Sequence, residues 1–413
     1  MLFDRTILKS VIQSVDEYPV TLVTGARQVG KSTLVSYFEK NMNYEYISFD
    51  DEILLNEALE DPREFLDNHP TPLIIDEVQK AKIIFKEIER RVNEVRRKKG
   101  TEKANGMYIL TGSQKFNLMQ EVSESMSGRV GIIEMNPLSM CEIKGWKNET
   151  FEVDNNKLIQ KSDTRELTEN ELYEAVVRGF YPARWEIKNK PIKNYYANYI
   201  KTYIEKDVSQ LISLKDKTRF ENLLKVLSYL TAEEYIPSNI ANTVGVDVKT
   251  IESWVNILVT GDIIRLLEPY YENSINKRIV KRKKLFFNDT GLACYLLGID
   301  SVNTFKLSSF KGKLIETYIN NEIYKSYKNE NENANMYFYR DNNQNEVDLI
   351  ILKDGKLNLI ECKSGKNYSL EDIKGFKQLE KTKYDIAGRC IICTTNEIYK
   401  IGPSIFAHQI KCL

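Results

Sequence analysis

The segment YPVTLVTGARQVGKSTLVSYF (residues 18–38) decides the fold of the N-terminal third of the chain. Its apolar first half predicts a strand over residues 20–24, and its amphipathic end predicts a helix from Thr33. Between them, GARQVGKS matches the pattern G-x-x-x-x-G-K-[ST]. A strand, this loop and a helix in that order form a P-loop, in which backbone N–H groups and a helix N-terminus bind phosphate oxygens.

The P-loop pattern gives individual residues expected roles. Lys31 is expected to reach the β- and γ-phosphates of a nucleoside triphosphate, and Ser32 is expected to ligate Mg²⁺. The alternative is a chance match, which the predicted strand and helix on either side argue against. The sequence therefore predicts that ATP and Mg²⁺ are bound by Gly25, Ala26, Arg27, Gln28, Val29, Gly30, Lys31, Ser32 and Thr33.

A second apolar run, TPLIIDEVQKA (residues 71–81), predicts a strand that ends in two carboxylates, Asp76 and Glu77. A P-loop enzyme needs one acid beside the metal ion and a second group that orients or deprotonates the attacking water. Asp76 suits the first role and Glu77 the second. Many strands end in acids, so this assignment depends on the P-loop upstream.

Two further groups are candidates for contact with the γ-phosphate. The run GMYILTGSQKF (residues 106–116) predicts a third strand, which ends in the small polar residues Thr111, Ser113 and Gln114. Arg129 follows a Ser-Gly turn, from which its guanidinium could reach a phosphate of the same or of a neighbouring subunit. The alternatives are an ordinary strand end and a surface arginine.

The segment EVDLIILKDGKLNLIECKSG (residues 346–365) predicts a β-hairpin with Asp-Gly in its turn. In that register Asp348 lies opposite Glu361, and Glu346 lies opposite Lys363. All four side chains share one face because side chains alternate along a strand. Opposed carboxylates are compatible if one is protonated, if the strand ends fray, or if a cation lies between them.

A metal ion between the opposed carboxylates explains most of this pattern. Asp348 and Glu361 would ligate Mg²⁺ or Mn²⁺, and Lys363 would stabilise a hydroxide or the phosphate. Glu316, on a predicted helix upstream, would supply a further carboxylate. Two alternatives stay open: Lys363 pairs with Glu346 on a surface, or the fold serves as a scaffold after its activity was lost.

The middle of the chain predicts helices and a helix-turn-helix. Four tyrosines at helical spacing predict packing on the P-loop domain rather than base stacking; they are Tyr195, Tyr196, Tyr199 and Tyr203. Downstream, Ala241, Gly245, Ile251 and Val255 fit two helices joined by a glycine turn, with Ser238 and Asp247 as N-caps.

The segments on either side of a basic linker predict a wing beside these helices. The linker is the better candidate for contact with a nucleic-acid backbone, and its cations are Lys277, Arg278, Lys281, Arg282, Lys283 and Lys284. A winged helix also serves as a protein-interaction or packing module. Contact with DNA and a packing role therefore both stay open.

Composition excludes several classes of protein. The 413 residues carry 59 acidic and 59 basic side chains, so the net charge gives no sign of a nucleic-acid partner. No apolar run approaches the roughly 20 residues of a membrane span, and we expect a cytoplasmic protein with reduced cysteines. Cys390-Ile-Ile-Cys393 has the spacing of half a zinc site, but no second pair follows, so a core position is expected.

These motifs resemble, in content and order, the bacterial and archaeal AAA-type ATPases that join an N-terminal P-loop domain to a conserved C-terminal domain of uncharacterised function. The matching segments are GARQVGKSTL, LIIDEVQK, ILTGSQ, SMSGRV…PLS, VVRGFYP, TYIEKDV, FNDTGL, GKLIETYI and the hairpin. An acid on a helix, an Asp on one strand and Glu-x-Lys on the next also resemble the restriction-endonuclease-like fold.

The resemblance implies an α/β fold class: a P-loop NTPase (AAA-type) core, a helical and winged-helix middle, and a C-terminal α/β restriction-endonuclease-like domain. The expected bounds are 1–140 for the P-loop domain, 141–230 for a helical linker or lid, 231–290 for the winged helix and 291–413 for the nuclease-like domain. It also implies a homo-oligomer in which a neighbour's arginine completes the ATP site.

Two functions fit these observations. In the first, an oligomeric ATPase acts on nucleic acid and cleaves it with a second Mg²⁺ or Mn²⁺. In the second, ATP sets an assembly state, the C-terminal modules bind a protein partner, and the nuclease-like fold is inactive. Both predict that ATP turnover needs Lys31 and Glu77.

Overall fold

The structure is a computed structural model of the chain. It describes residues 3–113, 118, 122, 126–186, 192–208, 216–271, 282–380 and 384–413, without the side chains of residues 192, 206 and 207. Its contacts divide it into two compact units. The first unit is Met1–Leu138 with Thr260–Asp262 and Lys328–Glu332, and the second is Ser139–Val259, Ile263–Tyr327 and Asn333–Leu413.

Strands and helices alternate in the first unit. Its described strands are β1 (Val20–Thr24), β2 (Glu45–Ser48), β3 (Leu73–Asp76), β4 (Tyr108–Gly112) and β5 (Val130–Glu134). Its described helices are α1 (Leu8–Glu17), α2 (Lys31–Met42), α3 (Glu52–Glu60), α4 (Pro62–Asn68) and α5 (Ile84–Lys99), with short 3₁₀ turns at Val78–Lys80 and Glu102–Ala104. In this part of the chain the strands pair in the order β2-β3-β4-β1-β5, and every pair is parallel.

The parallel arrangement places the functional segments at one edge of this sheet. All residues of β1, β3 and β4 are buried, as expected for parallel strands covered on both faces. Because the strands run in one direction, their carboxyl ends meet at the same edge. β1 leads into the P-loop there and β3 ends in Asp76, so the strands and the helix predicted around these motifs are confirmed.

The second unit begins with helices and ends with strands. Its described helices are α6 (Met140–Lys144), α7 (Asn155–Thr164), α8 (Glu169–Arg178), α9 (Ala183–Glu186), α10 (Ile192–Tyr203), α11 (Lys217–Tyr229), α12 (Pro237–Val244), α13 (Val248–Thr260), α14 (Thr290–Leu296), α15 (Val302–Leu307), α16 (Lys311–Lys328) and α17 (Phe376–Leu379). A π-helical turn at Ile204–Val208 follows α10, and 3₁₀ turns occupy Leu370–Ile373 and Ile410–Cys412.

The described strands of the second unit form one mixed sheet. They are β6 (Glu233–Glu234), β7 (Ile264–Pro269), β8 (Lys284–Phe287), β9 (Met336–Arg340), β10 (Glu346–Lys353), β11 (Lys356–Lys363), β12 (Asp385–Cys393), β13 (Tyr399–Gly402) and β14 (Ile405–Gln409). Their order is β13-β14-β12-β11-β10-β9-β7-β8-β6. The strands of the predicted wing, β7 and β8, pair antiparallel, and β7 also pairs with β9. The predicted middle and C-terminal domains therefore share a sheet.

The predicted hairpin register is confirmed over the five residue pairs next to the turn. β10 and β11 pair from Lys353↔Lys356 to Leu349↔Ile360, which is the register set by an Asp-Gly turn. Both turn residues have positive φ, 52° at Asp354 and 70° at Gly355, as a type I′ turn requires.

The two helices predicted around Gly245 are present as α12 and α13. Gly245 ends α12 in the left-handed region, and Ile251 and Val255 of α13 are buried. Asp247 caps α13 by accepting a hydrogen bond from the N–H of Thr250 at 2.9 Å. The prediction for Ser238 is wrong, because α12 already begins at Pro237, which presets the helical φ.

The four tyrosines of α10 are buried, as predicted, but their partners differ from the prediction. Tyr196 donates to Asp289 Oδ1 at 2.7 Å, and Tyr181 donates to Tyr199 at 2.8 Å. These residues of the second unit replace the P-loop domain as the packing surface.

Some predicted residues lie outside the described ranges: Gln114, Lys277, Arg278 and Lys281. Within the described ranges, no helix has the length and apolar character that crossing a bilayer requires.

Candidate functional site

The loop after β1 has the backbone geometry that a P-loop needs. Gly25 and Gly30 have φ values of 143° and 97°, a region that favours glycine, and Gln28 also has a positive φ of 64°. A Cβ at Gly25 would collide with the carbonyl oxygen of Met135. The first glycine of the pattern is therefore fixed both by its φ and by the close approach of another backbone segment.

Lys31 lies folded against this loop. Its Nζ donates to the carbonyl oxygens of Gly25 and Ala26, both at 2.9 Å, and the residue is 7% exposed. Burial lowers the pKa of Lys31 to about 8, although the negative charges of Glu77 and Asp76 oppose that shift. Its ammonium is thus desolvated and bound by neutral carbonyls. A bound phosphate would stabilise this charge.

Asp76 accepts hydrogen bonds from three hydroxyl groups. Ser32 Oγ donates to its Oδ2 at 2.8 Å, the Tyr46 hydroxyl donates to the same oxygen at 2.7 Å, and Thr111 donates to Oδ1. The structure therefore brings together Ser32 and Asp76, the two predicted Mg²⁺-binding residues. A hydroxyl and a carboxylate side by side are the oxygen ligands that suit a magnesium ion and its water shell.

Glu77 follows directly and has a left-handed backbone, with a φ of 56°. Its carboxylate accepts from Gln79 Nε2, and Ser113 Oγ lies 3.5 Å from Glu77 Oε2. A non-glycine residue with positive φ is uncommon and is often found at functional sites. Ser113 thus contacts the predicted base.

Arg129 lies away from its own P-loop. It precedes β5, whose residue Val130 pairs with Val20, the first residue of β1. The P-loop follows the last residue of β1, so five residues of strand, roughly 16 Å, separate the two ends. Arg129 Nε donates instead to Asn93 Oδ1 on α5 at 2.8 Å. The prediction of a contact with phosphate in the same subunit is therefore wrong.

Two residues of this site were not found from the sequence. Arg5 donates to the carbonyl oxygens of Val29 at 2.6 Å and Asn136 at 2.7 Å, and it thereby links the P-loop to the segment after β5. Tyr46 is the third hydroxyl on Asp76. Neither belongs to a spaced motif: Tyr46 would be identifiable only from the alignment of β2 with β3, in which it pairs with Ile74.

The predicted C-terminal residues also come together. Glu316 lies on α16, Asp348 on β10, and Glu361 and Lys363 on β11. Lys363 Nζ lies 2.6 Å from Glu361 Oε2 and 3.2 Å from Asp348 Oδ2. The alternative in which Lys363 pairs with Glu346 is not what the structure shows, because Glu346 contacts another lysine.

That second lysine is Lys284, on β8. Its Nζ lies 2.5 Å from Glu316 Oε1, 2.8 Å from Glu346 Oε1 and 3.8 Å from Asp348 Oδ1. We call these six side chains the carboxylate cluster: Lys284, Glu316, Glu346, Asp348, Glu361 and Lys363. The prediction that Lys284 belongs to an exposed basic linker is wrong, because β8 is an interior strand and the Lys284 side chain is 4% exposed.

Burial and the two lysines set the protonation of the carboxylate cluster. Burial, and then the charge of Asp348, raise the pKa of Glu361 well above its usual range. Burial also raises the pKa of Glu316 to about 8. Burial alone would raise the pKa of Asp348 as well, but the charges of Lys363 and Lys284 lower it to about 2.

The carboxylate cluster does not fit the predicted metal ion. The cation between the opposed carboxylates is a lysine ammonium, and Glu361 favours protonation as a second means of relieving repulsion. Among the described residues, no three His, Cys, Asp or Glu side chains form a group that could hold a metal ion. The other described cations of the linker are paired too: Arg282 lies 3.2 Å from Glu234, and Lys283 lies 2.6 Å from Glu268.

The six cysteines are buried and free, as expected for reduced thiols. Cys390 and Cys393 lie in β12, which confirms the predicted core position. Burial raises the pKa of Cys390 well above its usual range, so its thiol is not a ready metal ligand.

Comparison with known protein families assigns the N-terminal region. Residues 17–144 match the family model described as an AAA domain. Residues 17–144 form an AAA-type P-loop domain. Residues 169–303 and 311–413 match two domains of unknown function, DUF8612 and DUF4143.

Several uncharacterized proteins are similar to this chain. Proteins of Mycobacterium bovis and Mycobacterium tuberculosis are each 25% identical over 288 residues, which cover 68% of this chain and 57% of those proteins. The chain thus matches less than two thirds of their length. A protein of Methanocaldococcus jannaschii is 26% identical over 397 residues, covering 92% of this chain and 82% of that protein.

The solved structures that are similar to this chain include two ATP-related proteins. A Walker-type ATPase of Pyrococcus abyssi has a TM-score of 0.45 and 15% identity, covering 72% of this chain and 96% of that one. AMPPCP-bound DnaA from Aquifex aeolicus has a TM-score of 0.27 and 16% identity, covering 60% of this chain and 84% of that one. Both TM-scores are too low to establish a shared fold.

Proposed function

We propose that the AAA-type domain binds ATP with Mg²⁺ and hydrolyses it. The observation that carries this proposal is the contact of Ser32 Oγ with Asp76 Oδ2 at 2.8 Å, directly beside the P-loop. Lys31 and the loop N–H groups would bind the phosphates, while Ser32 and Asp76 would hold Mg²⁺. When bound, Mg²⁺ neutralises charge on the phosphate oxygens.

Glu77 is the proposed base or water-orienting residue. Its carboxylate follows the Mg²⁺-binding Asp76 and contacts Gln79 and Ser113, which restrict its orientation. A positioned carboxylate of this kind contributes about 10²–10⁴ to the rate. Ser113 would act by positioning Glu77, or by contacting the γ-phosphate as the sequence suggested.

Two variants test the assignment. Lys31→Ala should abolish binding of a fluorescent ATP analogue, while Glu77→Gln should bind it normally and lose turnover by at least about a hundredfold. Glu57→Gln, on the exposed face of α3, is the matched control and should leave both unchanged. Normal hydrolysis by Glu77→Gln would show that another group is the base.

We further propose that Arg129 acts on the nucleotide of a neighbouring subunit in a homo-oligomer. Its position at the end of the sheet away from its own P-loop supports this role. Lys31→Ala and Arg129→Ala subunits should each be inactive alone and regain turnover when mixed, because each supplies what the other lacks. Unchanged turnover in Arg129→Ala alone would exclude the role.

For the second unit we propose that nucleotide state controls binding of a partner. Two lysine ammoniums lie among the carboxylates of the cluster, which favours a binding role over metal-dependent cleavage. Lys284 is one of them, so it is not available for contact with DNA. Stimulation of ATPase turnover by DNA or RNA at low salt would identify the partner as nucleic acid. A nucleotide-dependent change in oligomer size without that response would favour a protein partner.

A further inference from the structure

We propose that Lys284 takes the place of a metal ion in the carboxylate cluster, so that Mg²⁺ or Mn²⁺ binds there only when its ammonium is removed. This inference does not depend on ATP hydrolysis by the N-terminal domain. It concerns residues of the second unit alone.

The backbone fixes Lys284 in place. β8 is an interior strand that pairs with β6 on one side and β7 on the other, with Lys284 opposite Glu234 and Leu267. The three residues that follow it, from Leu285 to Phe287, are fully buried. Because its strand is paired on both sides and its side chain is buried, Lys284 cannot move aside as a surface lysine would.

The ammonium contacts carboxylates from separate elements. Glu316 comes from α16, whereas Glu346 and Asp348 come from β10. A divalent ion in the same place would need these oxygens at about 2.0–2.6 Å, so the ion and the Lys284 Nζ cannot both be present. The distances of 2.5 and 2.8 Å from Nζ to Glu316 and Glu346 leave no gap for an ion between them.

Asp348 is committed on both of its oxygens. Oδ1 lies 3.8 Å from Lys284, whereas Oδ2 accepts from Lys363 at 3.2 Å and from the N–H of Cys362 at 2.9 Å. The negative charge of this carboxylate is already compensated by two ammoniums and a backbone N–H, so it attracts a metal ion only weakly. Lys284 is the cation to remove, because Lys363 belongs to the Glu-x-Lys pattern, whereas no motif requires Lys284.

The test compares wild type, Lys284→Met and Lys283→Met as full-length chains without nucleotide. Methionine keeps the apolar stem of the lysine and removes its charge. Lys283 is the neighbouring residue, pairs with Glu268 and lies outside the cluster, so Lys283→Met is the matched control. Mn²⁺ binding is measured by calorimetry, and the thermal midpoint is measured with Mn²⁺ and with a chelator.

We expect Lys284→Met to lose several degrees of thermal midpoint, to bind Mn²⁺ at least about tenfold more tightly than wild type, and to recover stability when Mn²⁺ is added. A second substitution, Asp348→Asn, should abolish that gain and so locate the ion in the cluster. Lys283→Met should behave as wild type.

Two results would overturn the proposal. One is a folded Lys284→Met that gains no Mn²⁺ affinity. The other is wild-type Mn²⁺ binding that Asp348→Asn abolishes, since the ion would then occupy the cluster beside Lys284. The comparison of wild type with Asp348→Asn decides the question even if Lys284→Met does not fold. If Asp348→Asn binds less Mn²⁺ than wild type, the proposal is overturned. If the two bind Mn²⁺ equally, the proposal is supported.

Discussion

Asp76 and Asp348 are both strand carboxylates in places where the sequence predicts a metal ion, yet their surroundings differ. Asp76 accepts hydrogen bonds from neutral hydroxyls of Ser32, Tyr46 and Thr111. Asp348 faces two ammoniums, from Lys284 and Lys363. Hydroxyls satisfy a carboxylate without cancelling its charge, so the first site still attracts a cation, whereas the second is already neutralised.

The lysines of the two sites differ in the same way. Lys31 contacts backbone carbonyls, and burial lowers its pKa to about 8, so its charge destabilises the folded state. Lys363 contacts carboxylates that raise its pKa despite its burial, so its charge stabilises the folded state. The charge of Lys31 is therefore unfavourable in the folded chain, whereas the charge of Lys363 helps to hold the fold together.

The largest expected effect is on stability, in Lys363→Met. Removing this ammonium leaves Asp348 and Glu361 facing each other with less compensation, which costs about 3 kcal/mol, the lower end for a broken buried pair because Lys363 is 28% exposed. Urea unfolding measures the loss. Lys366→Met, which breaks a more exposed pair with Glu169, should cost less than about 1 kcal/mol. Equal losses of stability in the two variants would show that Lys363 contributes no more to the fold than an exposed lysine does.

The next effect is on turnover, in Asp76→Asn. The substitution removes the negative charge that would hold Mg²⁺. It keeps one acceptor oxygen, and its amide N–H₂ can donate to a hydroxyl that lay on the other oxygen, since a hydroxyl also accepts. We therefore expect kcat to fall about a hundredfold while stability changes little. Steady-state ATPase assays and urea unfolding check both parts. A loss of stability comparable with that of Lys363→Met would mean that Asp76 is structural rather than functional.

A smaller effect is expected from pH on nucleotide binding. Lys31 loses its proton as pH rises through about 8, so ATP affinity should fall on the order of tenfold between about pH 7 and pH 9.5. Fluorescence titration of wild type measures the decline, and any binding retained by Lys31→Arg, whose charge does not titrate in this range, should not change with pH. A flat wild-type profile would show that Lys31 keeps its proton when the site is empty.

The sequence was sufficient wherever chemistry depends on spacing along the chain. The P-loop, the position of Asp76 at the end of β3 and the register of the β10–β11 hairpin next to its Asp-Gly turn all follow from local patterns. It was insufficient where a residue acts through a long-range pairing. Lys284 looked like a member of a basic run, and only the pairing of β8 with β6 and β7 carries it into the cluster.

The smallest expected effect is on the stability of Lys31→Met, and it gives the most direct comparison of Lys31 with Lys363. The folded pKa of Lys31, about 8, lies below its unfolded value of 10.5, so the unfolded chain binds more protons between these values and wild-type stability rises with pH there. Methionine removes the charge that burial penalises, but also two hydrogen bonds to carbonyls, so stability at neutral pH should change by no more than about 1 kcal/mol. Urea unfolding at neutral pH and near pH 10 tests both points: the variant should gain less than wild type as pH rises. A loss near that of Lys363→Met would mean that the P-loop lysine supports the fold after all.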